Sequence, residues 1–279
     1  MRAYCLIRPQ PCYRREAFCT GLKAVGLDVL DRRPDRIDAD TLIVIWNRYA
    51  DMHELACRVE RAGGRVIVAE NGYIGSGGGT PKFQVHPGGP QPGHYYAIAE
   101  GHHNGAGTWP SGGAERWARL GVELRPWRGE NEGGHILVCP NRSFGVADHV
   151  MHPDWGERCA ARLRKTTRRR VRVRPHPGNN EPARPLSEDL DGAWAVVVWR
   201  SSCGVHALVE GIPVFCEGPA WILKGAAATG SVDAPVLPER LPHFERLAWG
   251  QWTCEEIGRG EPFRHLLSPA GQGTLAPGA

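Results

Sequence analysis

The chain has 279 residues, of which 41% are hydrophobic and 23% charged, so it can bury one large or two small cores and is not a disordered chain. No run reaches the roughly 18 consecutive apolar residues of a membrane span, and the N-terminus lacks the apolar core of a signal peptide. The nine cysteines form no C-x-x-C pair, and the net charge is only +4. We therefore expect a soluble protein of the reducing cytoplasm.

The first part of the chain alternates buried strands with amphipathic helices. Apolar runs predict strands at 3–7, 41–46 and 65–70, and apolar residues at helical spacing predict helices at 13–25 and 50–62. Strands that are apolar throughout and alternate with helices favour a parallel sheet covered on both faces.

Residues 72–113 are rich in glycine and irregular, apart from a strand predicted at 94–99. A loop of this length in a compact domain is either functional or disordered, and its histidines and aromatic residues favour a function. Ser111 is predicted to cap a short helix that carries Trp117 and Leu120.

A second alternating series follows. It has predicted strands at 135–140, 171–174, 193–199 and 213–217, a helix that carries Trp155, Cys159 and Leu163, and at least two helices within 237–267. Both halves are predicted to be α/β lobes with βαβ units, 1–130 and 131–279.

Polar residues follow two predicted strands of the second lobe. Ser201, Ser202 and Gly204 come directly after one strand, and Arg174 and His176 come after the strand before it. Ligands of open α/β sheets bind beyond the carboxyl ends of strands, where a helix N-terminus, arginine and histidine suit a phosphate or pyrophosphate. An ordinary helix cap with a tight turn would also use serine and glycine.

The segment 158–174 contains nine arginines or lysines and no acidic residue. It is either a solvated helix face followed by a strand with outward arginines, or a surface for a polyanion such as nucleic acid. Arg168, Arg169 and Arg170 are the candidates for polyanion or acceptor binding.

Three segments carry a resemblance to a known family: "RPHPG" from Arg174, "VVVWRSSCGVHALVEGIPVFCEG" from Val196 and "LAWGQWTCEEIGRGE" from Leu247. Together they resemble the C-terminal lobe of capsule-polysaccharide and Kdo-type glycosyltransferases, and also phage-encoded proteins of that kind. The resemblance implies the GT-B fold, in which two Rossmann-like lobes face a cleft and the C-terminal lobe holds a nucleotide sugar.

In that family the matching positions bind the donor, which implies donor contacts for Arg174, His176, Ser201, Ser202 and Gly204. Related sequences often carry glutamate at the position of His206, which can contact the ribose or sugar, and Glu210 one turn later could compensate. No permanently bound cofactor is expected, and the co-substrate would be a UDP-, GDP- or CMP-linked sugar.

Transfer to a hydroxyl acceptor needs a base within reach of the attacking oxygen. Glu70, at the end of the third predicted strand, is the first candidate, and His102 or His103 is the rival. Asn71 and Asn104 are candidate acceptor contacts. The alternatives are a Glu70 carboxylate that accepts backbone N–H groups and histidines that only structure the loop.

His86, His94, His102 and His103 match no metal-ligand spacing, so no metal is expected. Trp109, Trp117 and Trp127 could stack on a sugar or equally pin the loop to the core.

The sequence thus predicts a glycosyltransferase whose acceptor is a glycan, or a hydroxymethylated pyrimidine in phage DNA, with no membrane span. The alternatives are a nucleic-acid-binding protein without enzyme activity on the same fold, and a nucleotide-sugar epimerase. If the gene is phage-encoded, the protein would act in the cytoplasm of the host.

Overall fold

The computed structural model describes residues 1–74, 95–129, 133–143, 148–176 and 184–268. The chain forms two compact units. The first contains Met1–His103, Gly107–Gly112 and Trp249–Ala279, and the second contains Asn104–Ala106 and Gly113–Ala248. This division groups the segment from Trp249 with the first unit, whereas the sequence grouped it with the second lobe.

The first unit is built on a six-stranded sheet. Its strands are β1 (Arg2–Cys5), β2 (Asp28–Leu30), β3 (Thr41–Trp46), β4 (Arg65–Asn71), β5 (Tyr95–Glu100) and β12 (Gln251–Thr253). Its helices are α1 (Arg15–Ala24), α2 (Asp51–Arg61), α8 (Cys254–Gly258) and α9 (Glu261–Leu267). The strand order is β12-β5-β4-β3-β1-β2.

Neighbouring strands from β1 to β4 are parallel, whereas β5 runs antiparallel to β4 and β12 antiparallel to β5. Alternate side chains of β3 enter two different cores. Leu42 and Val44 pack with residues of α1, α8 and α9, and Ile43 and Ile45 pack with residues of α2. The predicted parallel sheet with two covered faces is confirmed for β1, β3 and β4.

The second unit contains a four-stranded parallel sheet of order β7-β6-β8-β9. The strands are β6 (His135–Cys139), β7 (Arg170–Val173), β8 (Ala193–Val198) and β9 (Val214–Cys216), and β10 (Thr229–Ser231) and β11 (Ala234–Val236) form a separate hairpin. The helices are α3 (Glu115–Leu120), α4 (Trp155–Leu163), α5 (Leu186–Leu190), α6 (Cys203–Val209) and α7 (Leu241–Ala248). As predicted, Trp155, Cys159 and Leu163 of α4 are buried against the sheet.

Parallel strands bring their carboxyl ends to one edge of a sheet, where α/β proteins bind ligands. We call the residues that follow β1 to β4 at the carboxyl end of these strands the first edge, and those that follow β6 to β9 the second edge. The cleft implied by the family resemblance stays a prediction. Within the described ranges no helix is long and apolar enough to cross a membrane.

Candidate functional site

The turn between β8 and α6 carries the two predicted serines, and the structure gives them different environments. Ser201 is buried, and its Oγ accepts a hydrogen bond from the backbone N–H of Cys203 at 3.3 Å. Ser202 is exposed at the N-cap of α6, where its side chain forms no capping hydrogen bond. Ser201 therefore shapes the turn, and the Ser202 hydroxyl can bind a ligand.

Gly204 is required by packing. A Cβ atom added there would lie 2.8 Å from Cζ2 of Trp221, closer than real Cβ contacts allow. The absence of a side chain lets the first turn of α6 lie against the Trp221 ring, and close-packed interiors tolerate little added volume. A direct contact of Gly204 with donor stays a prediction.

Arg174 follows β7 and lies beneath the surface of the second edge. Its guanidinium, 8% exposed, forms an ion pair with Asp189 of α5, and its Nη2 donates to the carbonyl of Arg184 at 2.8 Å. The Asp189 carboxylate is 6% exposed and also binds Nη2 of Arg172 at 2.7 Å. The role of Asp189 could not be predicted from the sequence, because a short acidic segment such as Leu186–Leu190 carries no signal of burial.

Arg174 also lies close to the serine turn. A hydrogen bond from the side chain of Cys139 lowers the pKa of the Cys203 thiol, and the Ser201 hydroxyl and the nearby Arg174 charge act in the same direction. The structure therefore brings Arg174, Ser201 and Cys203 together, as the sequence predicted for the two strand ends. His176, two residues after Arg174, is partly exposed.

His206 lies on α6, one turn after Ser202. Burial lowers the pKa of its imidazole, and the Glu210 carboxylate opposes this shift only in part. The side chain is therefore neutral at pH 7, with one ring nitrogen as a donor and the other as an acceptor. Glu210 itself pairs with Nη1 of Arg125 at 2.7 Å.

Two asparagines hold the backbone that leads into the serine turn. Oδ1 of Asn141, which follows β6, accepts from the N–H of Arg200 at 2.8 Å, and Nδ2 of Asn104 donates to the Arg200 carbonyl at 2.7 Å. Asn104 is thus placed in the second unit, at the second edge, whereas the sequence predicted it in the acceptor lobe.

The three consecutive arginines do not join this group. Arg170 begins β7 whereas Arg174 follows its end, so Arg168, Arg169 and Arg170 lie at the opposite end of the strand. The Arg169 guanidinium stacks on the Trp194 ring at 4.2 Å and approaches Asp233 at 3.6 Å. Arg168 and Arg170 are exposed.

Glu70 lies at the first edge, near the end of β4. Its Oε2 accepts a hydrogen bond from Nδ2 of Asn47, and its Oε1 accepts from the backbone N–H of Asn71 at 3.0 Å. The carboxylate is partly exposed, so it is oriented without being enclosed. Asn47, which follows β3 and has a positive φ of 55°, was missed because one asparagine after a strand also fits a simple turn.

The two histidines lie at the other end of the same sheet. Because β5 is antiparallel to β4, Glu100 pairs with Ile67 and Asn71 pairs with Tyr96. His102 and His103 therefore lie away from Glu70, with their rings stacked at 4.6 Å and the N–H of His103 donating to Nδ1 of His102 at 2.8 Å. The structure does not bring these predicted bases together.

The tryptophans named by sequence pack against neighbouring side chains, and of the three only Trp117 is buried. Trp117 contacts Phe244 with ring centroids 5.0 Å apart, and Trp127 lies under the Arg240 guanidinium at 3.9 Å. Trp109 packs against the core of the first unit that contains Leu42 and Val44. At the first edge a different pair is found, since the Tyr13 ring meets Trp46 edge-on at 4.7 Å.

Among the described residues, no group of three or more histidine, cysteine or acidic side chains could hold a metal ion. His86 and His94 lie outside the described residues.

Comparisons with known proteins show a shared fold. No protein-family model and no curated protein matches the chain. Among solved structures, the chain is similar to the KpsC beta Kdo 2,7 transferase of Thermosulfurimonas dismutans, with a TM-score of 0.52 and 12% identity over 93% of this chain and 98% of that one. It is also similar to the KpsC beta Kdo 2,4 transferase of the same organism, with a TM-score of 0.53 and 10% identity over 90% and 91% of the two chains.

Proposed function

We propose that this protein is a glycosyltransferase that moves a sugar from a nucleotide-activated donor to a hydroxyl group of a glycan. The observation that carries the proposal is the shared fold, which covers nearly the whole of this chain and of a Kdo transferase. Because one fold hosts many activities, the proposal also needs residues that suit the reaction.

The donor site proposed here is the second edge. The exposed Ser202 hydroxyl and partly exposed His176 can donate to phosphate oxygens, and the neutral His206 can accept from or donate to a ribose or sugar hydroxyl. Arg174 holds the turn from beneath and is not proposed as a direct ligand of the diphosphate, because Asp189 and the Arg184 carbonyl already bind its two outer nitrogens.

The base proposed for the acceptor hydroxyl is Glu70. The two hydrogen bonds from Asn47 and Asn71 hold its carboxylate in one orientation, and partial exposure leaves it accessible to a substrate. General bases act within hydrogen-bond reach of the proton that they remove, so a fixed carboxylate is the better candidate here than the stacked histidine pair.

A thermal-shift screen of the full chain against UDP, GDP, CMP, dTDP and ADP, with and without magnesium, tests the donor site. A nucleotide that binds only the folded protein at about 100 times its Kd adds about 2.7 kcal/mol of stability. Ser202→Ala should weaken the binding free energy of that nucleotide by about 1.5–3 kcal/mol, the contribution of a hydrogen bond to a charged group. Ser187→Ala, an exposed serine of the same unit, is the matched control.

No stabilisation by any nucleotide would contradict the proposal. Product analysis by mass spectrometry then separates transfer from epimerisation, because an epimerase converts the donor without any acceptor.

The second candidate, a nucleic-acid-binding protein, is favoured by the exposed Lys165, Arg168 and Arg170, which form no ion pair within the described ranges. A DNA duplex in the same screen tests it. Stabilisation by DNA alone, lost at high salt, would favour this candidate over transfer.

A further inference from the structure

Two cysteines of the first unit lie in contact with each other. Cys5 is the last residue of β1 and is fully buried, and Cys19 on α1 packs against the same core. The side chains of Cys5 and Cys19 share a hydrogen bond. They belong to different elements and match no cysteine motif, so the fold of the first unit brings the two thiols together.

Cys19 is the thiol of this pair that a small reagent can reach. It is half-buried and lines a cavity of about 840 Å³ at the first edge, entirely within the first unit. The cavity is also lined by the segment between β1 and α1, by the end of β2 and by Cys254. Cys5 does not line the cavity, so an oxidant that enters it meets Cys19 first.

The surroundings of Cys19 favour its thiolate form. The hydrogen bond from Cys5 lowers the pKa of the Cys19 thiol to about 6, and the charges of Arg15 and Lys23 act in the same direction against the effect of burial. The same hydrogen bond and burial raise the pKa of Cys5. At neutral pH the pair therefore keeps its proton on the buried Cys5 and its negative charge on Cys19.

Cys254 lines the same cavity without these features. It is half-buried, like Cys19. Burial raises the pKa of its thiol, and the nearby Arg14 charge and a hydrogen bond with Tyr96 offset this only in part. The two thiols thus share one opening and differ in ionisation, so Cys254 is an internal control for access.

We propose that Cys19 is a peroxide-reactive cysteine and that Cys5 resolves its oxidised form into a reversible Cys5–Cys19 disulfide. Redox-sensing cysteines are accessible thiolates next to a resolving cysteine, and disulfides of the cytosol are usually transient ones of this kind. The bond joins β1 to α1 across the segment that lines the cavity. The proposal is independent of the proposed function, because no step involves a sugar or a nucleotide.

The oxidation takes two steps, with hydrogen peroxide as the oxidant. The Cys19 thiolate attacks one peroxide oxygen, an S–O bond forms as the O–O bond breaks, and the hydroxide that leaves takes a proton from solvent to become water. The Cys5 sulfur then attacks the Cys19 sulfur, an S–S bond forms as the S–O bond breaks, and the leaving oxygen takes the Cys5 proton and departs as water. The two sulfur atoms together lose two electrons, and both peroxide oxygens end as water.

The rate of alkylation by iodoacetamide at about pH 6 tests the reactivity of Cys19 in the parent protein. The reduced full chain is labelled, and the peptides that contain Cys19 and Cys254 are quantified by mass spectrometry. About half of Cys19 is thiolate at this pH, so it should react at least about tenfold faster than Cys254, although a thiolate of low pKa is the weaker nucleophile. Equal rates would overturn the proposal.

Oxidation of the same protein tests the disulfide. The reduced full chain is treated with a small molar excess of hydrogen peroxide, the remaining thiols are blocked with N-ethylmaleimide, and the chain is digested with trypsin without reductant. We expect a peptide pair linked through Cys5 and Cys19 that dithiothreitol separates. Cys5 and Cys12 lie in one tryptic peptide, so fragment ions assign the bond. A bond from Cys19 to Cys12 or Cys254, or no disulfide at all, would contradict the pairing.

Cys5→Ala removes the resolving thiol, and its unfolding temperature reports whether the variant folds. Its Cys19 sulfenic acid has no partner thiol, so dimedone, which reacts with sulfenic acids, should label Cys19 after peroxide treatment, whereas the parent should carry little label. Cys254→Ala should form the Cys5–Cys19 disulfide as the parent does. Equal dimedone labelling of Cys19 in the parent and in folded Cys5→Ala would remove Cys5 from the reaction. The two measurements on the parent protein stand whether or not this variant folds.

Discussion

The two units contain basic residues near the carboxyl ends of their strands, but the charges are used differently. In the second unit, carboxylates bind the arginines of this region: Asp189 holds Arg172 and Arg174, and Glu217, which follows β9, holds Arg162. At the first edge, Arg14 and Lys23 form no ion pair within the described ranges and face a cavity. A basic residue at a strand end is therefore a candidate ligand only when no carboxylate of the fold has already bound it.

Glu217 illustrates how closely the second edge is held. Its Oε2 accepts a hydrogen bond from Nε1 of Trp155 at 2.9 Å, while its Oε1 pairs with Arg162. One carboxylate after β9 thereby fixes the start of α4 and neutralises part of the basic segment. The charges of the second edge mainly hold its loops, whereas Arg14 and Lys23 at the first edge form no ion pair within the described ranges.

Glu70→Gln is expected to have the largest effect. It tests whether the first edge supplies the base. Turnover should fall by about 10²–10⁴-fold, the usual contribution of a general base, since an amide cannot take the proton. Nucleotide affinity, measured by calorimetry, should stay within error. Glu54→Gln on the exposed face of α2 is the control, and normal turnover in Glu70→Gln would remove Glu70 from the mechanism.

Asp189→Ala tests the claim that the second edge is held by compensated charge. Removing this carboxylate leaves Arg174 buried without its partner, which should lower the free energy of unfolding by about 3–5 kcal/mol in urea. Glu210→Ala, which breaks the exposed pair with Arg125, should cost less than about 1 kcal/mol. Equal losses in the two variants would contradict the difference between buried and exposed pairs.

Gly204→Ala tests the packing of the serine turn. The added methyl group would lie 2.8 Å from the Trp221 ring, so we expect a loss of about 1–3 kcal/mol in the free energy of unfolding. Gly134 has open space around it in the same unit, so Gly134→Ala should change stability by at most about 0.5 kcal/mol. An unchanged free energy of unfolding in Gly204→Ala would show that α6 can move away from Trp221.

The smallest effect concerns pH. Burial lowers the pKa of His206 below the ordinary imidazole value of 6.5. As the pH falls through 6.5, this residue is therefore protonated in the unfolded chain before it is protonated in the folded chain. Stability should therefore decrease as the pH falls from 7 to 5, by at most about 1.4 kcal/mol per pH unit for one histidine. His206→Gln should have a smaller slope than the parent protein. Equal slopes in the two proteins would contradict a lowered pKa of His206.

Much of the fold follows from hydrophobic patterning. The runs at 41–46, 65–70, 135–140 and 193–199 match β3, β4, β6 and β8 within a residue, because strands buried on both faces are apolar throughout. The three-residue strands β2 and β12 are too short for a pattern to show. β12 stands within a segment predicted as helical, and its pairing with β5 depends on contacts distant in sequence.

The site was predictable where it depends on a strand end and not where it depends on strand direction. Ser202 and Arg174 follow β8 and β7, and Glu70 lies near the end of β4, where the hydrophobic pattern put them. His102 and His103 also follow a strand, but β5 is antiparallel, which puts them at the opposite end of the sheet from Glu70. Nor could the sequence show that Asp189 would bind Arg174, since that ion pair forms only in the folded chain.

The most direct test of the central claim is hydrogen exchange of the full chain with and without the nucleotide that stabilises it most. The donor site proposed here predicts slower amide exchange in peptides that cover 174–176 and 199–206, with the segment 165–170 unchanged. Protection confined to 165–170, or to the first unit, would contradict the assignment of the donor to the second edge.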